Sequence, residues 1–350
     1  MPNLFDPLRL GALTLPNRIV MSPLTRARAI HNRVPNPLMA EYYRQRATAG
    51  LILTEATAIS PQGVGYANTP GIWSDDQVEG WKLVTNAVHQ AGGRIMLQLW
   101  HVGRISDPAF LNGELPVAPS AIAAEGNVNV LRPVRHYPIP RALDRAEIPG
   151  IVEDYRRGAI NAQRAGFDGV ELHGANGYLP DQFLQDRSNH RTDDYGGAIE
   201  NRTRFLFELL DVLIPVWGAD RVGLHLAPRG DTHSMGDRNP AALFGAVAEG
   251  ARARNLAFLC LREYAGLGSL GPQMKRIFGG PMIANENLTF DGANALLAAG
   301  DADAAAFGKQ FIANPDLVRR FREQAPLNAP NPATFYADGA EGYTDYPALA

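Results

Sequence analysis

Val170-Glu171-Leu172-His173-Gly174-Ala175-Asn176-Gly177-Tyr178 is the stretch on which the reading of this chain turns. Val170 and Leu172 alternate with polar residues and the run stops at Gly174 and Gly177, so it reads as a strand ending in a tight turn. His173, Asn176 and Tyr178 are thereby gathered at one strand end. In a parallel α/β barrel the C-terminal strand end is where catalytic groups collect.

Outward from that stretch, apolar strand-like runs recur at 19–24, 51–56, 95–101, 222–226, 257–261, 281–285 and 304–308. Helical spacing fills most of the intervals, at about 36–49, 75–91, 147–165 and 199–216, with Asn36 as cap and Pro37 at the first helical position of the earliest. This alternation predicts βαβ units, and the eight runs are the number that closes a barrel. The fold expected is a single-domain (β/α)8 TIM barrel over residues 1–350. A Pro- and Gly-rich excursion at 104–144 lacks periodicity and is expected to be a lid or pocket rim. The segment 322–350 reads as an irregular C-terminal tail, packed over a barrel face and carrying Tyr343 and Tyr346 with it.

Composition narrows the function. A length of 350 residues suits such a barrel, and 45% hydrophobic with 20% charged residues is ordinary for a globular protein. The net charge of -3 comes with scattered Lys and Arg, so neither nucleic acid nor an anionic membrane is expected as partner. The single cysteine, Cys260, lies in an apolar run, which excludes an internal disulfide and predicts a buried thiol. No leader-like start and no apolar run near the roughly 20 residues that span a bilayer are found, so a cytoplasmic location is expected, as a monomer or homo-oligomer acting on a small molecule.

Two sites follow from position. Barrels of this kind often bind phosphate at the loops after strands seven and eight, here Asn285-Glu286-Asn287 and Gly308-Lys309, although a plain turn with a solvated lysine would read the same. At the mouth, Thr25, Gln98, His173, Asn176, Tyr178 and His225 fall at or near strand ends. Such uncharged hydrogen-bonding groups suit a planar heteroaromatic ligand better than a metal. A metal would draw on Glu171, His173 and His225, and carboxylates are too few, so none is expected.

The ordered motifs Ser22-Pro23-Leu24-Thr25-Arg26, Thr54-Glu55-Ala56-Thr57, Gln98-Leu99-Trp100-His101-Val102-Gly103-Arg104, His173-Gly174-Ala175-Asn176-Gly177-Tyr178-Leu179, Asp194-Tyr195-Gly196-Gly197 with Glu200-Asn201-Arg202, and Asn314-Pro315-Asp316-Leu317 are similar to those of the old yellow enzyme family of ene-reductases. The resemblance runs from Leu4-Phe5 to Gly342-Tyr343-Thr344-Asp345-Tyr346-Pro347. It implies non-covalent FMN, NADPH or NADH as reductant, and an activated alkene as acceptor in a ping-pong cycle. It further implies that Thr25 binds the flavin C4 carbonyl, that Gln98 pairs with its pyrimidine edge, and that Pro23, Leu24 and Ala56 lie against the ring. His173 and Asn176 would hold the oxygen of the acceptor, and Tyr178 would donate a proton to its α-carbon. Tyr66, Trp100 and Tyr343 would wall the substrate pocket. Reduction of nitrate esters or nitroaromatics is the near alternative. A metal or Schiff-base lyase would need a carboxylate cluster or a mouth lysine, and neither is seen.

The chain departs from that pattern in two places. His225 stands where a strand-five arginine is usual near flavin N1, so a permanent positive charge is missing there, and a lower reduction potential or weaker flavin binding is expected. At the phosphate, Lys309 replaces a common arginine and Glu286 a frequent glycine. Glu286 is expected to turn outward and offer only its backbone N–H.

Overall fold

A computed structural model describes residues 1–128 and 131–350; Asn129 and Val130, inside the excursion expected at 104–144, lie outside the described residues. The barrel strands are β1 (Ile19–Met21), β2 (Leu51–Leu53), β3 (Ile95–Trp100), β4 (Val170–Gly174), β5 (Val222–Leu226), β6 (Phe258–Arg262), β7 (Met282–Asn285) and β8 (Ala304–Phe307). Each pairs in parallel with its neighbours, β8 returns to β1, and β2–β3 pairing completes the ring. Nearly every strand residue is buried on both faces, which is why the runs read as continuously apolar rather than alternating.

Helices α1 (Pro37–Gln45), α2 (Asp75–Gln90), α3 (Ile148–Arg164), α4 (Leu179–Leu184) and α5 (Ile199–Trp217) follow the first four strands. The second half carries α6 (Pro240–Ala253), α7 (Gly271–Phe278), α8 (Phe290–Ala299), α9 (Lys309–Ala313) and α10 (Leu317–Glu323). The starts are chemically marked. Asn36 accepts from the backbone N–H groups of Leu38 and Met39 ahead of Pro37, and Ser74 with Gln77 forms a reciprocal capping box.

The pattern reading did not foresee a hairpin, Leu8–Leu10 against Leu13–Leu15, turning at Gly11 with φ +57. Leu10, Leu13 and Leu15 pack with the inward residues Val20, Leu51, Met96 and Ile283, and Ala12 N–H donates to the Asp220 carbonyl just before β5. The hairpin therefore stoppers the N-terminal end of the barrel, leaving the opposite end as the mouth.

The excursion folds against that mouth. Its Ala124, Val128 and Tyr137 join Tyr66, Trp100, Val102 and Ile105 in one apolar cluster, against which Tyr178 packs. In the tail, Tyr343 is buried and stacks on Tyr42 of α1 at 4.0 Å and 8° between planes, with the Arg28 guanidinium 4.6 Å from its ring. Among the described residues no helix is long and apolar enough to cross a membrane.

Candidate active site

Strand pairing sets the site. β4 places His173 beside His225 of β5, and Glu171 beside Gln98 of β3, one layer deeper in the barrel. Beyond β4 two successive residues take left-handed backbone, Asn176 at φ +60 and Gly177 at φ +77. Asparagine tolerates that region, and at Gly177 a Cβ would stand 2.9 Å from Met235 Cγ, so the turn needs glycine. The Gly177 N–H donates to Asp181 Oδ2 at 2.9 Å and Gln182 Nε2 to the Gly177 carbonyl at 2.7 Å. Tyr178 is thereby fixed at the start of α4, two residues past the amide of Asn176. Burial holds the Asp181 carboxyl up at about 7.

Tyr178 sits in an aromatic nest. Its ring meets Trp100 edge-on at 5.0 Å and His173 at 4.9 Å, and its hydroxyl lies 3.0 Å from that of Tyr66. Burial raises the Tyr178 phenol above its ordinary range, an effect the Tyr66 hydroxyl partly offsets. Burial, and then the neighbouring His225 and Arg262, push His173 well below the ordinary histidine range. At neutral pH the site therefore holds a neutral imidazole beside a protonated phenol.

His173, Asn176 and His225 border a cavity of about 750 Å³ that is also lined by the loops after β7 and β8, and Tyr178 packs on His173 beside it. Pro23, Leu24, Asn285, Glu286, Gly308 and Lys309 are further lining residues. Lys309 makes no ion pair among the described residues. Thr25 is half-buried beside Leu24, and Ala56 belongs to the buried cluster with Tyr66 and Trp100. Gln98 is buried; its Nε2 donates to Glu171 Oε2 at 2.7 Å and lies 3.2 Å from His225 Nδ1.

Two residues on the cavity carry buried polar atoms without protein partners, His173 at Nδ1 and His225 at Nε2, and so does Glu171 at Oε1 one layer deeper. Unmet donors and acceptors of this kind call for a ligand. Glu171, His225 and Cys260 also bring one ligand atom each within 4.8 Å of one another. However, Gln98 already engages Glu171 there, and burial pushes the Cys260 thiol up, away from the thiolate a metal needs. A cavity whose lining joins the unpartnered imidazoles of His173 and His225 to the Gly308 backbone and the Lys309 cation fits FMN.

Three sequence expectations are corrected. Tyr343 is no wall of the pocket: it belongs to the core between α1 and Arg26 and Arg28, and the tail residue on the cavity is Tyr336. Glu286 does not turn outward. It takes φ +121, a strained region costing a non-glycine residue of order 1–3 kcal/mol, and its carboxylate pairs with Arg262 Nε on the cavity wall. Trp100 is fully buried and backs Tyr178 instead of facing the cavity itself.

Other site residues escaped the sequence reading. Arg262 ends β6, one residue beyond where the apolar run was closed; a charged residue at a strand's C-terminal end was the available signal. His233, at φ +60, lies with its Nδ1 2.7 Å from the Asn176 carbonyl and its ring 5.7 Å from Tyr178. Nothing in its loop sequence marks it.

Known proteins can be set beside this geometry. The sequence matches the NADH:flavin oxidoreductase / NADH oxidase family over residues 3–328. It is 41% identical to 12-oxophytodienoate reductase 2 of Arabidopsis thaliana, covering 99% of this chain and 96% of that protein. It is 42% identical to the probable flavin mononucleotide-dependent alkene reductase of Leishmania infantum, covering 99% and 97%. Among solved structures, the old yellow enzyme homologue of Zymomonas mobilis superposes with a TM-score of 0.97 at 47% identity, covering 99% of this chain and all of that one. Morphinone reductase in complex with tetrahydroNAD gives 0.96 at 50% identity, covering 100% and 98%. With the match spanning nearly the whole chain and the barrel superposing throughout, the chain belongs to the NADH:flavin oxidoreductase / NADH oxidase family.

Proposed function

We propose that this enzyme, an FMN-dependent ene-reductase, reduces the C=C bond of enones, enals, maleimides or nitroalkenes, and that NADPH or NADH and the alkene use its mouth in turn. FMN, when bound, would supply the hydride chemistry that links the reduced nicotinamide to the alkene. Gln98, Thr25 and His225 would hold the edge of its ring, and Lys309 with the Gly308 backbone its phosphate. A relative of the same fold is known with tetrahydroNAD bound, which supports nicotinamide access to such a mouth.

The observation that carries the reading is that Tyr178 packs on His173 at 4.9 Å, two residues past Asn176, beside the cavity. His173 and Asn176 both border it, and a carbonyl or nitro oxygen held between them meets hydrogen-bond donors where negative charge develops. That draws electron density from the β-carbon. Tyr178, held protonated by burial, is then the acid for the α-carbon. As its proton leaves, the Tyr66 hydroxyl at 3.0 Å can donate to the phenolate oxygen. A cytoplasmic location, where reduced nicotinamides are abundant, accords with the sequence reading.

The test is turnover with FMN-loaded protein, 2-cyclohexenone and either nicotinamide. Cyclohexanone should form at the expense of the reductant. Reductant consumption that depends on oxygen alone, with the enone untouched, would overturn the assignment and leave only an oxidase.

A further inference from the structure

The missing strand-five arginine directs attention to Arg262, one strand further round. Its guanidinium is tied at Nε to the Glu286 carboxylate, and Nη1 lies 2.8 Å from Asn176 Oδ1 and 3.5 Å from Thr232 Oγ1. All of Arg262, Glu286 and Asn176 border the cavity.

An amide can present either end, and rotating it by half a turn exchanges acceptor for donor. Guanidinium has donors only. Whatever lies against Arg262 must accept, so the carbonyl end of Asn176 is taken and its NH2 is left for the cavity. The positive charge also polarises that amide and strengthens the N–H as a donor. Glu286 keeps the guanidinium from swinging away, which gives its positive-φ backbone a purpose.

We propose that Arg262, anchored by Glu286, is the positioning residue that makes Asn176 a donor toward the acceptor oxygen, so that the pocket selects ligands whose oxygen carries or gains negative charge. The inference rests on the proposed role of Asn176 in holding that oxygen. It also explains why a chain with histidine on strand five retains a permanent cation at its mouth.

The test is a double-mutant cycle on the FMN-loaded enzyme, with 4-chlorophenol titrated into the oxidised protein and binding read from the change in flavin absorbance. Arg262→Met should weaken binding about tenfold or more, the range of one charge-assisted hydrogen bond. Asn176→Ala should do the same, and the double variant should bind no more weakly than Asn176→Ala alone. Additive losses, or Arg262→Met within about twofold of wild type, would overturn the role of Arg262. Should Arg262→Met not retain flavin, Glu286→Gln takes its place in the cycle, with non-additivity supporting and additivity refuting. Failure of the wild-type enzyme to bind the phenol, or of Asn176→Ala to weaken it, would instead strike at the acceptor-oxygen site itself.

Discussion

Replacing Tyr178 by phenylalanine removes one oxygen atom from the centre of the proposed mechanism. The ring is retained, so its edge contact with Trp100 at 5.0 Å and its approach to His173 at 4.9 Å persist, and no cavity of consequence opens. The structural loss is the 3.0 Å hydroxyl pair with Tyr66, about 1 kcal/mol for a neutral hydrogen bond. The catalytic loss is larger. Removing a positioned general acid costs roughly 10²- to 10⁴-fold, and burial of the site leaves water poorly placed to substitute. The assay is anaerobic stopped-flow: enzyme reduced in advance is mixed with cyclohexenone, and the return of flavin absorbance gives the rate of the alkene step alone. Tyr178→Phe should slow that step by at least about a hundredfold while melting within a few degrees of wild type. Reoxidation at close to the wild-type rate would refute the assignment of Tyr178 as acid.

Other outcomes follow from the same geometry. Tyr66→Phe should slow the alkene step about tenfold, since it removes a hydrogen bond to a phenolate oxygen, and the same stopped-flow measurement reads it. Tyr343→Ala should cost about 3–5 kcal/mol of stability with KM for the enone unchanged, because the ring is buried on Tyr42; a raised KM without a lowered Tm would return it to the pocket. The alkene step should be flat from pH 7 to 9 as far as His173 and Tyr178 are concerned, because burial moves the first below and the second above that window. Asp181 governs a pH effect on stability. Its folded carboxyl titrates at about 7, above the unfolded value, so the native state takes up a proton that the unfolded chain does not as pH falls from 7 to 5, a relative gain of about 2 kcal/mol. Asp181→Asn should therefore lose stability more steeply than wild type over that interval, with parallel Tm curves the contrary result.

The barrel was legible in the sequence because strands buried on both faces are written as unbroken apolar runs, and because Asn36 and Pro37 mark a helix start chemically. The hairpin at Leu8–Leu15 was written in the same language, alternation about a glycine, and went unread because it lies outside the βαβ rhythm. Within the site, residues at strand ends could be assigned from position: His173, Asn176 and His225 all border one cavity. What position could not decide was direction. Tyr336 and Tyr343 are tail tyrosines seven residues apart, and only packing against Tyr42 and the arginines of the first loop sends one to the core while the other reaches the cavity. Position beside a phosphate loop says nothing of the partner Glu286 takes, which is a cation on the adjacent strand. Arg262 shows how such a miss arises: strand register, not local sequence, brings it beside Asn285 and within reach of Asn176.

The departure at His225 now has a counterpart. The expectation of a lower flavin potential assumed that no permanent charge remained near the ring. Arg262 on β6 lines the same cavity as His225 and is ion-paired with Glu286, so a bound flavin would meet there a permanent cation already partly neutralised.

The most direct test of the whole account is one cuvette of FMN-loaded enzyme under anaerobic conditions. NADPH or NADH should bleach the yellow absorbance, and cyclohexenone, added once the reductant is spent, should restore it with one equivalent of cyclohexanone formed. Protein that binds no flavin, or flavin that bleaches and is not recoloured by the enone, would contradict the central claim that this mouth delivers hydride and proton across an activated double bond.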